Sequence, residues 1–259
     1  DIKDLKNSIK YLKLGNKLQR QSLSYDIDFH KSLSKKIKLI FSKINFKDYE
    51  NSPEGKNQIF ILGMPRSGTT LVEKIIASHS KVSTISESNF IPDKIFQYIN
   101  NDTENLMNFI QTNFQDEYYE FLKLYNINNQ IIIDKTLINF WYLGFIKIFF
   151  PNSKIIHVSR NPLDNCLSIF ENLFDYPQGW DCDQNELAEY YLIYKDLMNY
   201  WNTLFDQTIL NIKYEEIVSN YENKIKELIN FCELNWEEQC LKYYDNNSPI
   251  KTLSVNQAN

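Results

Sequence analysis

An apolar segment leads through a short glycine-containing loop into a helix-like segment, in the stretch IFILGMPRSGTTLVEKII at residues 59–76. Gly63, four residues, Gly68 and a pair of threonines match the spacing of a Walker A loop, but threonine replaces the usual lysine. Glycine lets the backbone curl so that successive N–H groups converge on one anion, and the N-terminus of the next helix adds partial positive charge. The stretch predicts a buried strand, a loop and a helix.

The spacing of this loop alone leaves two interpretations open. One is an ordinary strand-to-helix turn whose glycines provide tightness, and the other is a loop that binds an anion. The chain has only six glycines, and two of them stand in this loop. Arg66 adds a positive charge with a two-pronged donor group, while Thr69 and Thr70 add hydroxyl donors. These side chains favour the anion-binding loop.

Beyond the loop, short runs rich in isoleucine and valine alternate with helical segments. The runs KVSTI, QIIID, SKIIHVSR and TILNIKY each predict a strand. Continuous apolar strands separated by helices are typical of a parallel sheet that is covered on both faces. We therefore expect an α/β, P-loop-like, three-layer fold in which helices flank a central parallel sheet.

The first part of the chain has a different pattern. Residues 1–49 are basic and have helical periodicity, and the turn-rich sequence ENSPEGKNQ follows at residues 50–58. We predict a helical N-terminal extension at residues 1–56 and a separate α/β domain at residues 57–259. Because the chain opens with Asp1 and not with methionine, we expect it to be a fragment of a longer protein.

Composition argues against several kinds of partner and site. The formal charge is -5 and the pI is about 5.4, so we expect no general polyanion-binding surface and no nucleic-acid partner. Four cysteines without a C-x-x-C pair, together with three histidines, give no zinc-ligand pattern, and they fit a cytoplasmic protein with reduced thiols. The most apolar run, LINFWYLGFIKIFF, is too short to span a bilayer and contains Lys147.

Two segments resemble the donor-binding motifs of the sulfotransferases that use 3'-phosphoadenosine-5'-phosphosulfate (PAPS). PRSGTTLVEKIIASH is similar to the 5'-phosphosulfate loop of that family, and SKIIHVSRNPLDNCLSIF is similar to its 3'-phosphate motif. The resemblance extends from about Asn57 to the end and is nearest to the tyrosylprotein-sulfotransferase-like branch, which includes bacterial proteins with tetratricopeptide repeats. A sulfuryl group on AMP carries less charge than a triphosphate and needs no metal, which accounts for the missing lysine.

The resemblance implies PAPS as co-substrate, 3'-phosphoadenosine 5'-phosphate (PAP) as product, and no metal. The acceptor would be a hydroxyl or an amine on a small molecule, a glycan or a peptide, and the oligomeric state is left open. The residues that the resemblance assigns to donor binding are Arg66, Ser67, Gly68, Thr69, Thr70, Arg160, Ser168, Tyr214 and Ser254.

Catalysis also requires a base, because the acceptor loses its proton as the new S–O bond forms. Glu87 closes a short strand just after the loop helix, and the resemblance assigns this glutamate the role of base. The resemblance implies that Lys135, which follows the run QIIID, and Ser254 stabilise charge on the departing oxygen. It also implies that Arg66, in the loop, takes part in catalysis.

The chain departs from the tyrosine-sulfating enzymes at two positions, and from relatives in general at a third. Ser86 stands where those enzymes have an acidic residue, and Asn89 stands where they have an arginine, which weakens the case for peptide tyrosine as acceptor. Asn172 stands where relatives have another arginine, and the family's basic residues after the closing loop are not in the sequence, so we expect either a truncated sequence or a 3'-phosphate held by fewer charges.

Two other functions stay open. Asp134 closes an apolar strand as a Walker B aspartate does, so the chain could be a kinase-like phosphotransferase that uses ATP and magnesium. The absent lysine makes this the weaker interpretation. The second alternative is a catalytically silent member that binds nucleotide or a protein partner.

Overall fold

The structure, a computed structural model, describes residues 4–100, 103–125, 127, 129–172, 174 and 177–245. Within these residues the strands form one five-stranded sheet in the order β2-β3-β1-β4-β5, and every neighbouring pair is parallel. The strands are β1 (Gln58–Leu62), β2 (Val82–Thr84), β3 (Ile131–Asp134), β4 (Lys154–Ser159) and β5 (Ile209–Lys213). All five predicted strands are therefore confirmed.

The helices are α1 (Leu5–Gln21), α2 (Ile27–Phe41), α3 (Thr69–Ala77), α4 (Phe90–Asn100), α5 (Thr103–Ile110), α6 (Phe114–Lys123), α7 (Leu143–Phe149), α8 (Pro162–Phe170), α9 (Gln184–Leu204), α10 (Tyr214–Ser219) and α11 (Tyr221–Phe231). Short 3-10 turns, such as the one at Leu137–Trp141, join some of them. No helix in the described ranges is both long enough and apolar enough to cross a membrane.

All five residues of the central strand β1 are buried. Because successive side chains of a strand point to opposite sides of the sheet, β1 is covered on both faces. Phe60 and Leu62 belong to a large core that includes side chains of α2, α4 to α7 and α9. Ile59 and Ile61 belong to a second core built with α3 and α11. Helices thus cover both faces of the sheet, which confirms the three-layer α/β fold.

The second N-terminal helix contributes to the large core. Phe41, at the end of α2, is almost fully buried and packs edge-to-face against Phe145 and Trp201. The α1 helix is held to α9 by an ion pair between Arg20 and Glu186. The boundary near residue 57 stays a prediction, and the packing of Phe41 shows that the segment before it is part of the same hydrophobic core.

The carboxyl ends of all five strands lie at one edge of the sheet, since the strands are parallel. Ligands in open α/β sheets bind at this edge. The residues that follow the strands there include most of those predicted from the sequence: the loop at residues 63–68 after β1, Glu87 after β2, Lys135 after β3, Arg160 after β4 and Tyr214 after β5.

Candidate active site at the carboxyl edge of the sheet

The loop after β1 has a backbone that only glycine fits at two positions. Gly68 has a φ of 101°, in the left-handed region, and immediately precedes α3. A Cβ atom on Gly68 would lie 2.7 Å from the ring of Tyr214, and one on Gly63 would lie 2.4 Å from the carbonyl oxygen of Val158. The loop is therefore tightly enclosed by the segments around β4 and β5, so its glycines are required by close packing as well as by the turn.

Arg66 connects the loop to α8. Its Nε donates a hydrogen bond to the hydroxyl of Ser168 at 3.2 Å, and its backbone carbonyl accepts one from Nη1 of Arg160 at 3.3 Å. The amide group of Asn165 also donates to the carbonyl of Pro65 at 2.7 Å. The structure thus brings Arg66, Ser168 and Arg160 together, as expected if one ligand contacts all three.

Two guanidinium groups share this part of the site. Burial, together with the nearby Arg160 guanidinium, lowers the pKa of Arg66. Arg160 also lies over the ring of Tyr214, with its guanidinium carbon 5.1 Å from the ring centroid. Two positive charges at close range in a partly buried site favour a bound anion, because an anion would offset their repulsion.

Two buried donor groups here make no hydrogen bond within the described part of the chain: Nε of Arg160 and the hydroxyl of Ser67. Buried polar groups nearly always have a hydrogen-bond partner in proteins. Two buried donors without one, beside a glycine loop, therefore indicate a position for ligand oxygens. Thr69 and Thr70 occupy the first turn of α3, where backbone N–H groups are free to bind an anion. The donor set therefore fits a phosphorylated or sulfated nucleotide.

Helix α8 begins with a capped first turn. Asn161 caps the helix by accepting hydrogen bonds from the backbone N–H groups of Leu163 and Asp164, and Pro162 occupies its first turn. Asn172, at the position of the missing arginine, donates to the carbonyl of Ser168 at 2.5 Å. That amide group therefore closes the end of the helix.

A second group of charged side chains lies at the ends of β2 and β3. The amine of Lys135 is fully buried and donates to Oε1 of Glu87 at 2.6 Å. The Glu87 side chain is 45% exposed, so part of this carboxylate is accessible from outside the protein. The amide of Ser88 donates to the Thr136 hydroxyl at 3.0 Å and fixes the backbone next to Glu87. The structure therefore brings the predicted base and the predicted lysine into direct contact.

Asp134, the Walker B candidate, is engaged in the core. The hydroxyl of Tyr118 donates to one of its oxygens at 3.1 Å, and the hydroxyl of Thr136 donates to the other at 2.6 Å. Burial raises the pKa of this carboxyl to about 6. One oxygen thus holds α6 against the sheet and the other holds the segment after β3, which gives no support to the kinase interpretation.

Sequence reasoning missed two residues of this site. Glu73 is fully buried on α3, and its Oε2 lies 3.6 Å from the Lys135 amine. Asn165 is buried and holds the loop at Pro65. The signal for Glu73 was an acidic residue one turn after Thr69, on the same helix face as apolar side chains. Ser254, by contrast, lies outside the described residues.

Comparisons with known proteins agree with the fold. Over 98% of its length, this chain is 31% identical to an uncharacterised protein from Aquifex aeolicus (strain VF5), and it spans 36% of that protein. The sulfotransferase domain of the Synechococcus PCC 7002 olefin synthase is similar in structure, with a TM-score of 0.57 and 19% identity over 80% of this chain and 85% of that chain.

The sulfotransferase domain from the curacin biosynthetic pathway has a TM-score of 0.53 and 19% identity, over 81% of this chain and 84% of that chain. The sulfotransferase STF1 from Mycobacterium tuberculosis has a TM-score of 0.51 and 9% identity, over 83% and 76%. These likenesses support the fold, and the tyrosylprotein-sulfotransferase-like branch stays a prediction. Residues 58–238 match the profile of the Sulfotransferase family, and the chain belongs to that family.

Proposed function

We propose that this chain transfers a sulfuryl group from PAPS to a hydroxyl or amine acceptor and releases PAP. The observation that carries the proposal is the convergence of Arg66, Arg160 and Ser168 on a glycine loop, with buried donor groups left unpaired. Membership of the sulfotransferase family supports the same reaction. The acceptor belongs to one of three classes: a small molecule, a glycan or a peptide.

The strand order supports an orientation for the donor. Arg160 and Tyr214 follow β4 and β5, on one side of the central loop, while Glu87 and Lys135 follow β2 and β3, on the other side. We assign the 3'-phosphate to Arg160 and Ser168, and the 5'-phosphosulfate to residues 66–70. The sulfuryl group then faces the Glu87–Lys135 pair, which is where an acceptor must approach.

The chemistry follows from the two charged groups. Glu87 accepts the proton of the acceptor hydroxyl as the oxygen bonds to sulfur, and the bond between sulfur and the bridging phosphate oxygen breaks. Lys135 stabilises the negative charge that develops on that oxygen. Arg66 and the N-terminus of α3 supply positive charge that stabilises the nonbridging oxygens of the phosphosulfate. We assign no metal to this reaction, and Ser254 keeps the predicted role beside the transferring group.

Calorimetric titration tests the donor assignment. We expect PAP to bind, and ATP with magnesium to bind much more weakly, because the loop lacks the lysine that serves a triphosphate. Transfer is then measured by chromatography of PAP, with PAPS and three acceptors: a phenol, a tyrosine peptide and an oligosaccharide. Binding of ATP with magnesium in place of PAP would refute the proposal in favour of a phosphotransferase. PAP binding without PAP release from PAPS would identify a silent member of the family.

A further inference from the structure

The carboxylate of Glu73 connects three segments of the candidate active site. Glu73 lies in α3, one turn beyond the phosphosulfate loop, and is fully buried. Its Oε1 accepts hydrogen bonds from the hydroxyl groups of Thr84 at 2.6 Å and Ser86 at 2.8 Å. Its Oε2 lies 3.6 Å from the amine of Lys135 and makes no hydrogen bond in the described residues. One buried carboxylate thus contacts the segments that carry both the base and the lysine.

Ser86 shows what the Glu73 contact holds in place. Its φ of 54° lies in the left-handed region, which is unfavourable for a serine. The conformation is held by three hydrogen bonds: the hydroxyl to Glu73, the backbone N–H to the Thr84 hydroxyl at 2.9 Å, and the carbonyl from the Lys135 amide at 2.9 Å. Because Glu87 follows directly, the direction of its side chain depends on this strained residue.

Charge balance gives Glu73 a second role. Lys135 is fully buried and has two carboxylate neighbours: Glu73, which is also buried, and Glu87, which is 45% exposed. Asp134 is next in sequence and is occupied by Tyr118 and Thr136. When Glu87 takes up the acceptor proton it loses its negative charge, and Lys135 would then be an uncompensated buried cation without Glu73.

We propose that Glu73 is a positioning residue for sulfuryl transfer, an inference that rests on the proposed function. It fixes the strained backbone at Ser86, which aims Glu87 at Lys135. It also remains the counterion of Lys135 when Glu87 is protonated, so that the amine stays charged and in place while the donor bond breaks. Glu73 itself contacts neither the acceptor nor the donor.

The first test replaces Glu73 by glutamine, which keeps an acceptor oxygen for Thr84 and Ser86 but removes the charge. We expect kcat to fall on the order of 100-fold, while the KM for PAPS and the Kd for PAP change less than about twofold. The matched control is Glu222→Gln, which removes an exposed partner of Lys226 on α11 and should leave all three values unchanged. An unchanged kcat, or equal losses in kcat and PAP affinity, would overturn the proposal.

A double-mutant cycle with Lys135→Met tests whether Glu73 acts through the lysine. We expect the double variant to be no slower than Lys135→Met alone, because the glutamate then has no amine to hold. Losses that multiply would overturn the proposal.

Urea unfolding of the four proteins of this cycle (the parent chain, Glu73→Gln, Lys135→Met and the double variant) gives a readout that needs no acceptor. Lys135→Met should lower the free energy of unfolding, since Glu73 is left buried and unpaired, and adding Glu73→Gln should restore part of it. Additive losses would refute the role of Glu73, whereas a parent chain that fails to bind PAP would refute the proposed function itself.

Discussion

The Arg66 guanidinium donates a hydrogen bond to the Ser168 hydroxyl, with Nε and Oγ 3.2 Å apart, although the two residues are 102 positions apart in sequence. This contact joins the loop after β1 to the helix after β4. The two motifs that resemble separate donor-binding elements therefore form one continuous surface. We infer that this surface contacts both ends of the donor, with different residues at the 5' end and at the 3' end. Variants at the two ends should therefore differ in which nucleotides they bind less tightly.

Replacement of Arg160 by alanine should weaken the binding of PAP far more than the binding of adenosine 5'-phosphosulfate, which lacks the 3'-phosphate. Loss of a charge-assisted hydrogen bond costs roughly 1.5–3 kcal/mol, so we expect PAP affinity to fall by about 10- to 100-fold. Calorimetry with both nucleotides measures the difference. Lys154→Ala is the control, because Lys154 begins β4 at the end opposite to Arg160 and pairs with Glu233. Equal losses for the two nucleotides would remove the role given to Arg160.

Replacement of Glu87 by glutamine should leave PAP binding intact and reduce turnover by about 10²- to 10⁴-fold, the usual contribution of a general base. The amide keeps the shape of the side chain and one acceptor for Lys135, but it cannot take up a proton. Steady-state rates with PAPS and an active acceptor test this expectation. Glu117→Gln, an exposed partner of Lys94, is the matched control. Turnover at the parent level would rule out Glu87 as the base.

Replacement of Gly68 by alanine should lower PAP affinity at least about tenfold. The backbone there has a φ of 101°, and the added methyl group would lie 2.7 Å from the Tyr214 ring. Relief of these contacts must move the loop or the tyrosine, and the ligand uses both in our assignment. Calorimetry gives the affinity, and urea unfolding shows whether the variant is folded. A folded variant with parental PAP affinity would contradict the packing described for this loop.

Replacement of Gly144 by alanine should destabilise the chain by about 1–3 kcal/mol through overpacking. A Cβ there would lie 2.6 Å from the ring of Phe41, which α2 contributes to the large core. The control is Gly15→Ala on α1, where nothing lies within 4 Å and helix propensity predicts a gain of up to about 1 kcal/mol. Urea unfolding measures both. Equal effects would show that α2 does not pack against the sheet domain as described.

The buried carboxyl of Asp134 predicts a pH-dependent contribution to stability. Its pKa is raised from 3.8 to about 6, so the folded state holds a proton that the unfolded state releases. Its contribution is therefore fully present below pH 3.8 and is lost as the pH rises through about 6. The shift corresponds to at most about 3 kcal/mol.

The Asp134→Asn variant isolates this contribution. We expect the unfolding free energy of the parent to decline relative to the variant between pH 4 and pH 7, as measured by urea unfolding at several pH values. Comparison with the variant cancels the opposite contribution of His157, whose pKa burial lowers to about 4. A constant difference across this range would contradict the burial of an ionisable Asp134.

Local patterns in the sequence were sufficient to predict the fold and the position of the glycine loop after β1. Runs of isoleucine and valine predicted the strands, since a strand that is covered on both faces must be apolar throughout. Gly63 and Gly68 predicted the loop, because both are placed relative to a strand end and a helix start a few residues away. Pro162, which occupies the first turn of α8, is a local signal of the same kind.

The domain boundary near residue 57 stays a prediction, because it depends on packing that local patterns do not show. Basic helical periodicity in residues 1–49 suggested a separate extension, and the pattern shows that a helix has an apolar face without showing what that face packs against. The contact of Phe41 with Gly144 and Trp201 exists only because α2 lies across α7 and α9 in the folded chain.

Periodicity and short-range turn chemistry define the α/β architecture, the position of the glycine loop and the segments that follow the strands, so these features could be predicted from the sequence. Which charged groups meet depends on how the elements pack in three dimensions. The chain has 33 acidic residues, and neither spacing nor composition shows that Glu73 is the one buried against Lys135. That choice follows from the packing of α3 beside β2 and β3, where exclusion of water makes a nearby carboxylate the required partner of a buried amine.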